Sequence, residues 1–362
     1  MTSLERVRVA LSGTPPDRVP VGPFVGAAAA PLVGASLRDY YTDGAVIARA
    51  QHALWQAVGH DILVTAADTY YIAEAFGLKT THHEHALPTV DKPLLTTLEE
   101  VDALRRPNPE TDGRMPVYLK ALEELRVLTG SQVALRGTGT GPFSLAAYLL
   151  GEQAFLTLLA DLDCGERGEE DRLRLHRLLD LMADTTAAFL RAQIDRGVHL
   201  AYLGDSLASA EMISPTMYRA YALPYHQKVF ASAKAHAAAA GRTVFTLLHI
   251  CGANQASLAA FAETGADLLE IDHKVPLAEA RQLAGPAVSL IGNLDPVQTL
   301  LLGTTERVFV ESGRAIREAC GADGRFILGS GCFVPPGTPL ENLRQMVAAA
   351  ESLNHETHKD SC

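Results

Sequence analysis

Residues 198–251 read VHLAYLGDSLASAEMISPTMYRAYALPYHQKVFASAKAHAAAAGRTVFTLLHIC. The two ends, 198–205 and 243–251, are short runs of apolar and β-branched side chains, as strands covered on both faces require. Between them, 216–240 is rich in helix formers. It follows Ser214, placed as an N-cap, and Pro215 at the first helical position. Strand, helix and strand in one stretch form the crossover unit of a parallel sheet.

The unit recurs on both sides. Strand-like runs lie at 19–25, 61–68, 132–139, 266–272, 287–293 and 325–331, most of them ending in Gly, Asp, Asn or Thr. Helical periodicity fills 172–195, 305–320 (entered through Thr304) and 340–353. Repetition of the unit along 362 residues favours a single (β/α)8 TIM barrel, an α/β fold, over an open doubly wound sheet. No Gly-x-Gly-x-x-Gly follows an early strand, and the Gly-rich run 137–142 has the wrong spacing to cradle phosphate. The organisation expected is one barrel domain over 1–354 with an N-terminal helical extension. A hairpin or lid is expected at 70–95 after the second strand, a charged loop at 161–171, and a flexible tail at 355–362.

Apolar residues are 48% of the chain and charged residues 20%, enough core and too little charge for disorder. A net charge of −11 argues against nucleic acid as a partner. The opening MTSLERVRVALSG has no long apolar run, and no stretch of 18 apolar residues follows. A cytoplasmic protein with no membrane partner is therefore expected. Five cysteines, at 164, 251, 320, 332 and 362, are odd in number and scattered, which suits a metal site better than a disulfide framework.

Reactive side chains of a barrel gather at the carboxyl ends of its strands. Here those ends hold Asp68, Asp205, His249, Cys251, Glu270, Asp272, Asn293 and Cys332. His249 and Cys251, two apart on one strand, point to the same side, and closure would bring Cys332 toward them. Imidazole, two thiolates and a carboxylate suit tetrahedral Zn²⁺. His249, Cys251 and Cys332 are the expected ligands and Glu270 the candidate fourth, with Asp272, a water or a substrate thiol as rivals. Asp205 is a candidate catalytic group or a cap for the next helix, Tyr148 a pocket or packing residue, and Asn293 a cofactor contact. His82-His83-Glu84-His85 is expected on a solvated surface, and Cys164, Cys320 and Cys362 are expected to be incidental.

Six stretches carry a family resemblance: 61–77 (DILVTAADTYYIAEAFG), 141–151 (GPFSLAAYLLG), 204–225 (GDSLASAEMISPTMYRAYALPY), 248–254 (LHICGAN), 292–296 (GNLDP) and 329–342 (GSGCFVPPGTPLEN). With them the chain resembles the uroporphyrinogen decarboxylase superfamily over nearly its whole length. It is most similar to the corrinoid-dependent methyltransferases, which carry His-x-Cys-Gly after the fifth strand and Gly-Cys near the C-terminus as zinc ligands. The resemblance implies methyl transfer between a cobalamin and a small-molecule thiol, folate or methylated substrate. Zinc would activate the thiolate or the leaving heteroatom. No Asp-x-His-x-x-Gly corrinoid motif is present, so methylcobalamin is expected on a separate corrinoid protein. The more distant cobalamin-independent methionine synthases carry His-x-Cys…Glu…Cys, which brings in Glu270.

The decarboxylases keep an essential Asp where Asp68 stands and a Tyr where Tyr148 stands, so both are candidate catalytic residues. They also resemble one another in an Arg-rich segment after the first strand. Here 22–31 is GPFVGAAAAP, without a cation, and substrate carboxylates buried there would stay unpaired. A decarboxylase-like lyase is the lesser reading and a non-catalytic corrinoid-binding partner the third. A homodimer is left open.

Overall fold

The computed structural model describes residues 1–66, 68–321 and 323–359, with side chains described as far as Leu353. The apolar runs become strands buried on both sides: β1 (Ile62–Val64), β4 (Ala134–Arg136), β5 (Leu200–Gly204), β6 (Phe245–His249), β7 (Leu268–Glu270), β8 (Ser289–Leu294) and β9 (Phe326–Ser330). Among the described residues these seven pair in parallel in the order β1-β4-β5-β6-β7-β8-β9. The hairpin expected after the second strand is present as β2 (Thr80–Thr81) against antiparallel β3 (Thr89–Val90).

The run 19–25 closes the ring with a single bridge rather than a full strand. Val21 bridges Leu328 in parallel, Gly22 donates to the Leu328 carbonyl at 2.8 Å, and Asp61 donates to the Val21 carbonyl at 2.6 Å. Pro20 and Pro23 flank the bridge, and neither can donate to a ladder. The seven-stranded sheet plus this stave make the TIM barrel.

Alternate strand residues point inward, and Ile62, Val64, Ala134, Leu200, Leu247, Leu268, Ile291 and Ile327 fill the barrel. The N-terminal helix Ser3–Leu11 presents Leu4, Val7 and Leu11 to the same cluster. Its start is held by the capping box of Thr2 and Glu5. The outer helices cover the sheet and form the larger core.

Three local expectations change. The helix foreseen at 216–240 is two helices, Pro215–Tyr221 and Leu223–Ala239, because Pro224 lacks the N–H that would bond to Ala220 and its ring crowds that carbonyl. The charged loop foreseen at 161–171 shrinks, since helices Glu152–Cys164 and Glu169–Asp195 extend into it from both sides. The final helix Leu340–Lys359 runs past the expected boundary at 354 into the stretch foreseen as a tail, where no Gly or Pro interrupts it. Residues 360–362 lie outside the described residues. Among the described residues no single helix is long and apolar enough to cross a membrane, and the apolar pair Pro142–Leu150 and Glu152–Cys164 is bent by 109°.

The seam is braced at its amino end by Asp61, whose side chain is fully buried. It accepts from Arg6 at 2.7 Å, from Arg18 at 2.7 Å and from the Val21 N–H at 2.8 Å. Removing it leaves Arg18 without a carboxylate partner and Arg6 with Asp17 alone. Asp61→Ala is expected to lower unfolding stability by about 3–5 kcal/mol, read from the denaturant midpoint at an unchanged slope.

Candidate metal centre

Strand geometry delivers the first two donors. His249 ends β6 and Cys251 lies two residues on, so both face the mouth. Cys332 arrives two residues beyond the end of β9. Cys251 Sγ is 3.3 Å from Cys332 Sγ and 3.0 Å from His249 Nε2, and Cys332 Sγ is 3.7 Å from the same nitrogen. Among the described residues His249, Cys251 and Cys332 form the one group of three or more such donors close enough to share an ion.

The electrostatics agree with that geometry. The hydrogen bond from Cys332, followed by the facing imidazole, holds the Cys251 thiol far below its ordinary range. Cys332, which donates that bond, is pushed far up. Burial opposes charge on His249, yet the Cys251 thiolate and Glu270 outweigh it and raise the imidazole to about 9. A thiolate, a thiol and an imidazolium crowded together are donors whose protons a divalent cation would displace. Two sulfurs and one nitrogen are the donor chemistry of zinc.

Glu270, expected as a fourth ligand, is placed elsewhere. Its oxygens accept from Arg136 at 2.7 and 2.8 Å. Oε2 lies 3.2 Å from His249 Nδ1, on the edge of the ring away from the sulfurs. Glu270 therefore stands outside the three-donor group and orients the imidazole so that Nε2 meets the thiols. Arg136 is fully enclosed, its guanidinium 4.0 Å from the Phe24 ring centre and 4.1 Å from that of Tyr202.

In front of the three donors lies a cavity of about 330 Å³ lined by Phe24, Asp68, Tyr70, Tyr148, Tyr202 and Phe333, among others. Asp68 and Tyr148 thus line the cavity in front of the three donors. Asp68 is held from behind by Arg114, at 2.5 and 3.1 Å. Arg114 also binds Glu74, at 2.6 and 2.8 Å.

Asp205 and Asn293 do not reach the cavity. The Asp205 carboxylate is buried and accepts from the N–H groups of Phe143 at 3.1 Å and Ser144 at 2.7 Å, with His226 Nε2 at 2.7 Å. It caps the helix Pro142–Leu150, and a Cβ on Gly141 would sit 2.2 Å from its Cγ, so that position must be glycine. The expectation of a cap for the next helix is thus corrected: Asp205 caps the helix after β4. Asn293 donates to the carbonyls of Asp272 and Val275 at 3.3 and 2.7 Å, bracing the loop after β7 instead of touching a cofactor. Asp272, a rival ligand, accepts from the N–H of Gly252 at 2.8 Å and steadies the turn after Cys251.

Cys164 is exposed and Cys320 lies apart from the site; Cys362 is outside the described residues. On the hairpin His83 and His85 are partly or fully exposed, while His82 turns in toward Glu74 at 3.5 Å. The sequence reading missed Arg136 and Arg114. They lie 134 and 46 residues from Glu270 and Asp68, and no local pattern announces either. A buried arginine inside an otherwise apolar strand, as in 132–139, was the available signal.

The fold and site thus define a TIM barrel with a candidate metal site of one imidazole and two thiols at its mouth. Residues 2–353 match the family model described as Uroporphyrinogen decarboxylase (URO-D), and the chain belongs to that family. The methylcobamide:CoM methyltransferase MtbA of Methanosarcina mazei is 30% identical over 358 residues, 98% of this chain and 99% of the relative. A uroporphyrinogen decarboxylase of Nostoc punctiforme is also 30% identical, over 300 residues, 83% of this chain and 80% of its own. A solved methyltransferase from Methanosarcina mazei has the same fold, with a TM-score of 0.86 at 24% identity over 98% of this chain and 99% of that one.

Two outcomes follow from the buried charges. Arg136→Met should destabilise the fold by about 3–5 kcal/mol, and adding Glu270→Gln should recover about half of the loss; chemical denaturation measures both. Asp205→Ala should cost about 2–4 kcal/mol through its orphaned donors, while metal content per folded chain stays at the wild-type value.

Proposed function

We propose that this chain is a corrinoid-dependent methyltransferase, moving a methyl group between a cobalamin presented by a separate protein and a small-molecule substrate at a zinc centre. His249, Cys251 and Cys332 would hold the ion. The observation that carries the reading is the meeting of one imidazole and two thiols, the cysteines 81 residues apart in the chain, on the wall of a substrate-sized cavity. Relatives named as methylcobamide:CoM methyltransferases, aligned over nearly the whole chain, support it.

When bound, zinc would deprotonate a substrate thiol or polarise the heteroatom that carries the methyl group. The chain's own residues do the rest. Glu270 takes the Nδ1 side of His249, which leaves Nε2 free to donate toward the ion. Two cysteine sulfurs offset most of a divalent charge, so a substrate sulfur beside them would keep its nucleophilicity. Phe24, Tyr202 and Phe333 wall the sulfurs off with rings, and exclusion of water strengthens each electrostatic contact there. Among the described residues no fourth His, Cys, Asp or Glu joins the group, so a fourth position would fall to the substrate or a water. Reduced thiols suit a cytoplasmic location.

A decarboxylase-like lyase is the second reading, favoured by Asp68 and Tyr148 facing the cavity. Against it, no lysine or arginine is among the residues lining that cavity. Several substrate carboxylates would enter without partners.

Elemental analysis is expected to find about one zinc per chain. Cys251→Ala and Cys332→Ala should each lose most of it, together with at least about 100-fold of thiol-dependent methylcobalamin demethylation. Full metal content and activity in His249→Ala, Cys251→Ala and Cys332→Ala would refute the assignment.

A further inference from the structure

The charges around the cavity are lopsided. Asp68 is the sole carboxylate among its lining residues, and no lysine or arginine joins it there. The nearest guanidinium groups are already spent. Arg114 gives its Nε–H to Glu74, two N–H groups to Asp68, one to Glu74 and one to the carbonyl of Tyr41. One cation is thus shared between two carboxylates, and the cluster keeps a net negative charge beside the cavity. Arg136 is matched by Glu270 and sealed between Phe24 and Tyr202.

Asp68 also has an acceptor position to spare. Arg114 fills one position on each oxygen, and the N–H of Tyr70 takes a third at 2.8 Å. A carboxylate offers about four. Around it the same cavity is lined by Tyr41, Tyr70, Tyr71 and Tyr148, with the Tyr70 and Tyr148 rings edge to face at 5.0 Å. Aromatic rings present a negative face that draws cations.

A second and independent sign is the hydroxyl of Tyr71. It is buried, belongs to a cavity-lining residue, and lies near Thr138 and Thr140 without completing a well-formed hydrogen bond to either. Buried hydroxyls are normally satisfied, so one left without a well-formed bond at a cavity wall is able to turn to a ligand group.

We propose that the small substrate of this centre is an aminothiol, whose ammonium group seats against Asp68 among these tyrosines while its sulfur faces Cys251 and Cys332. The assignment rests on the methyl-transfer reading and narrows its substrate class. A thiol with a sulfonate or carboxylate tail would instead meet the Asp68 carboxylate with no free cation to offset it. Coenzyme M, the acceptor in the names of the methanosarcinal relatives, carries such a sulfonate. On this proposal the chain takes a substrate tail opposite in charge to that of coenzyme M.

Three thiols with the same two-carbon spacing separate these cases: cysteamine, 2-mercaptoethanol and 2-mercaptoethanesulfonate. Each is titrated calorimetrically into the zinc-loaded protein. Cysteamine is expected to bind at least about tenfold tighter than the neutral thiol, the strength of one charge-assisted hydrogen bond, and the sulfonate weakest. Asp68→Asn should weaken cysteamine about tenfold and leave 2-mercaptoethanol unchanged, with zinc content as the check on folding. Tyr71→Phe, which removes only a hydroxyl without a well-formed hydrogen bond, keeps the test open if Asp68→Asn fails to fold, and should weaken cysteamine by about threefold.

Binding of the sulfonate as tightly as cysteamine, equal affinities for all three, or equal losses across the three in the variants would overturn the proposal. Methylcobalamin demethylation is followed with the same thiols. Turnover of the sulfonate alone overturns the aminothiol and leaves methyl transfer standing. Cysteamine binding without demethylation by any thiol would instead overturn methyl transfer and keep the ammonium seat.

Discussion

The barrel closes on a carboxylate. Asp61 gathers Arg6, Arg18 and the N–H of Val21 at the one seam where prolines deny the sheet its regular ladder. Everything at the mouth inherits its position from that closure. With the first stave in place, Phe24 donates its N–H to Ser330 Oγ at 2.9 Å and accepts from the Val334 N–H at 2.9 Å. Phe24 also packs on Phe333 with ring centres 5.0 Å apart. Cys332 is therefore tacked down on both sides, and its sulfur is delivered to a pair of donors that already share one strand end.

Two further arginine–carboxylate pairs are buried beneath the cavity, and they divide the labour. Arg136 with Glu270 forms a neutral, fully enclosed unit whose free edge steers the His249 ring. Arg114 is split between Asp68 and Glu74 and so leaves negative charge facing the cavity. Buried pairs of this kind seldom add net stability over apolar packing. Their value here lies in geometry and in the sign of the field each presents. The Arg114 cluster also ties the inserted hairpin to the site, since Thr80 of β2 donates to Glu74.

Residue type at a strand end proved an incomplete guide to chemistry. Asp205 and Asn293 occupy such ends, yet one caps a helix and the other braces a loop. Strand ends in a barrel are also where helices begin and loops turn, and both leave backbone groups that need side-chain partners. Acidic and amide residues meet that structural demand as readily as a catalytic one. Glu270 illustrates the same competition: its carboxylate is taken up on both oxygens by the buried guanidinium of Arg136.

The sequence by itself determined the repeating strand–helix pattern, the closure into a barrel and the shared direction of His249 and Cys251. These follow from periodicity and from alternation along one strand, both local properties. It also named Cys332 and Asp68 from their places at strand ends, and the resemblance added Asp68 and Tyr148 as catalytic candidates. Only the tertiary structure decided that Cys332 comes within 3.3 Å of Cys251, that Glu270 belongs to Arg136, and that Arg114 stands behind Asp68. Those pairings join segments from 46 to 134 residues apart. Which charge meets which inside a closed barrel depends on the competition among all the groups that closure brings together, and no local pattern records its outcome.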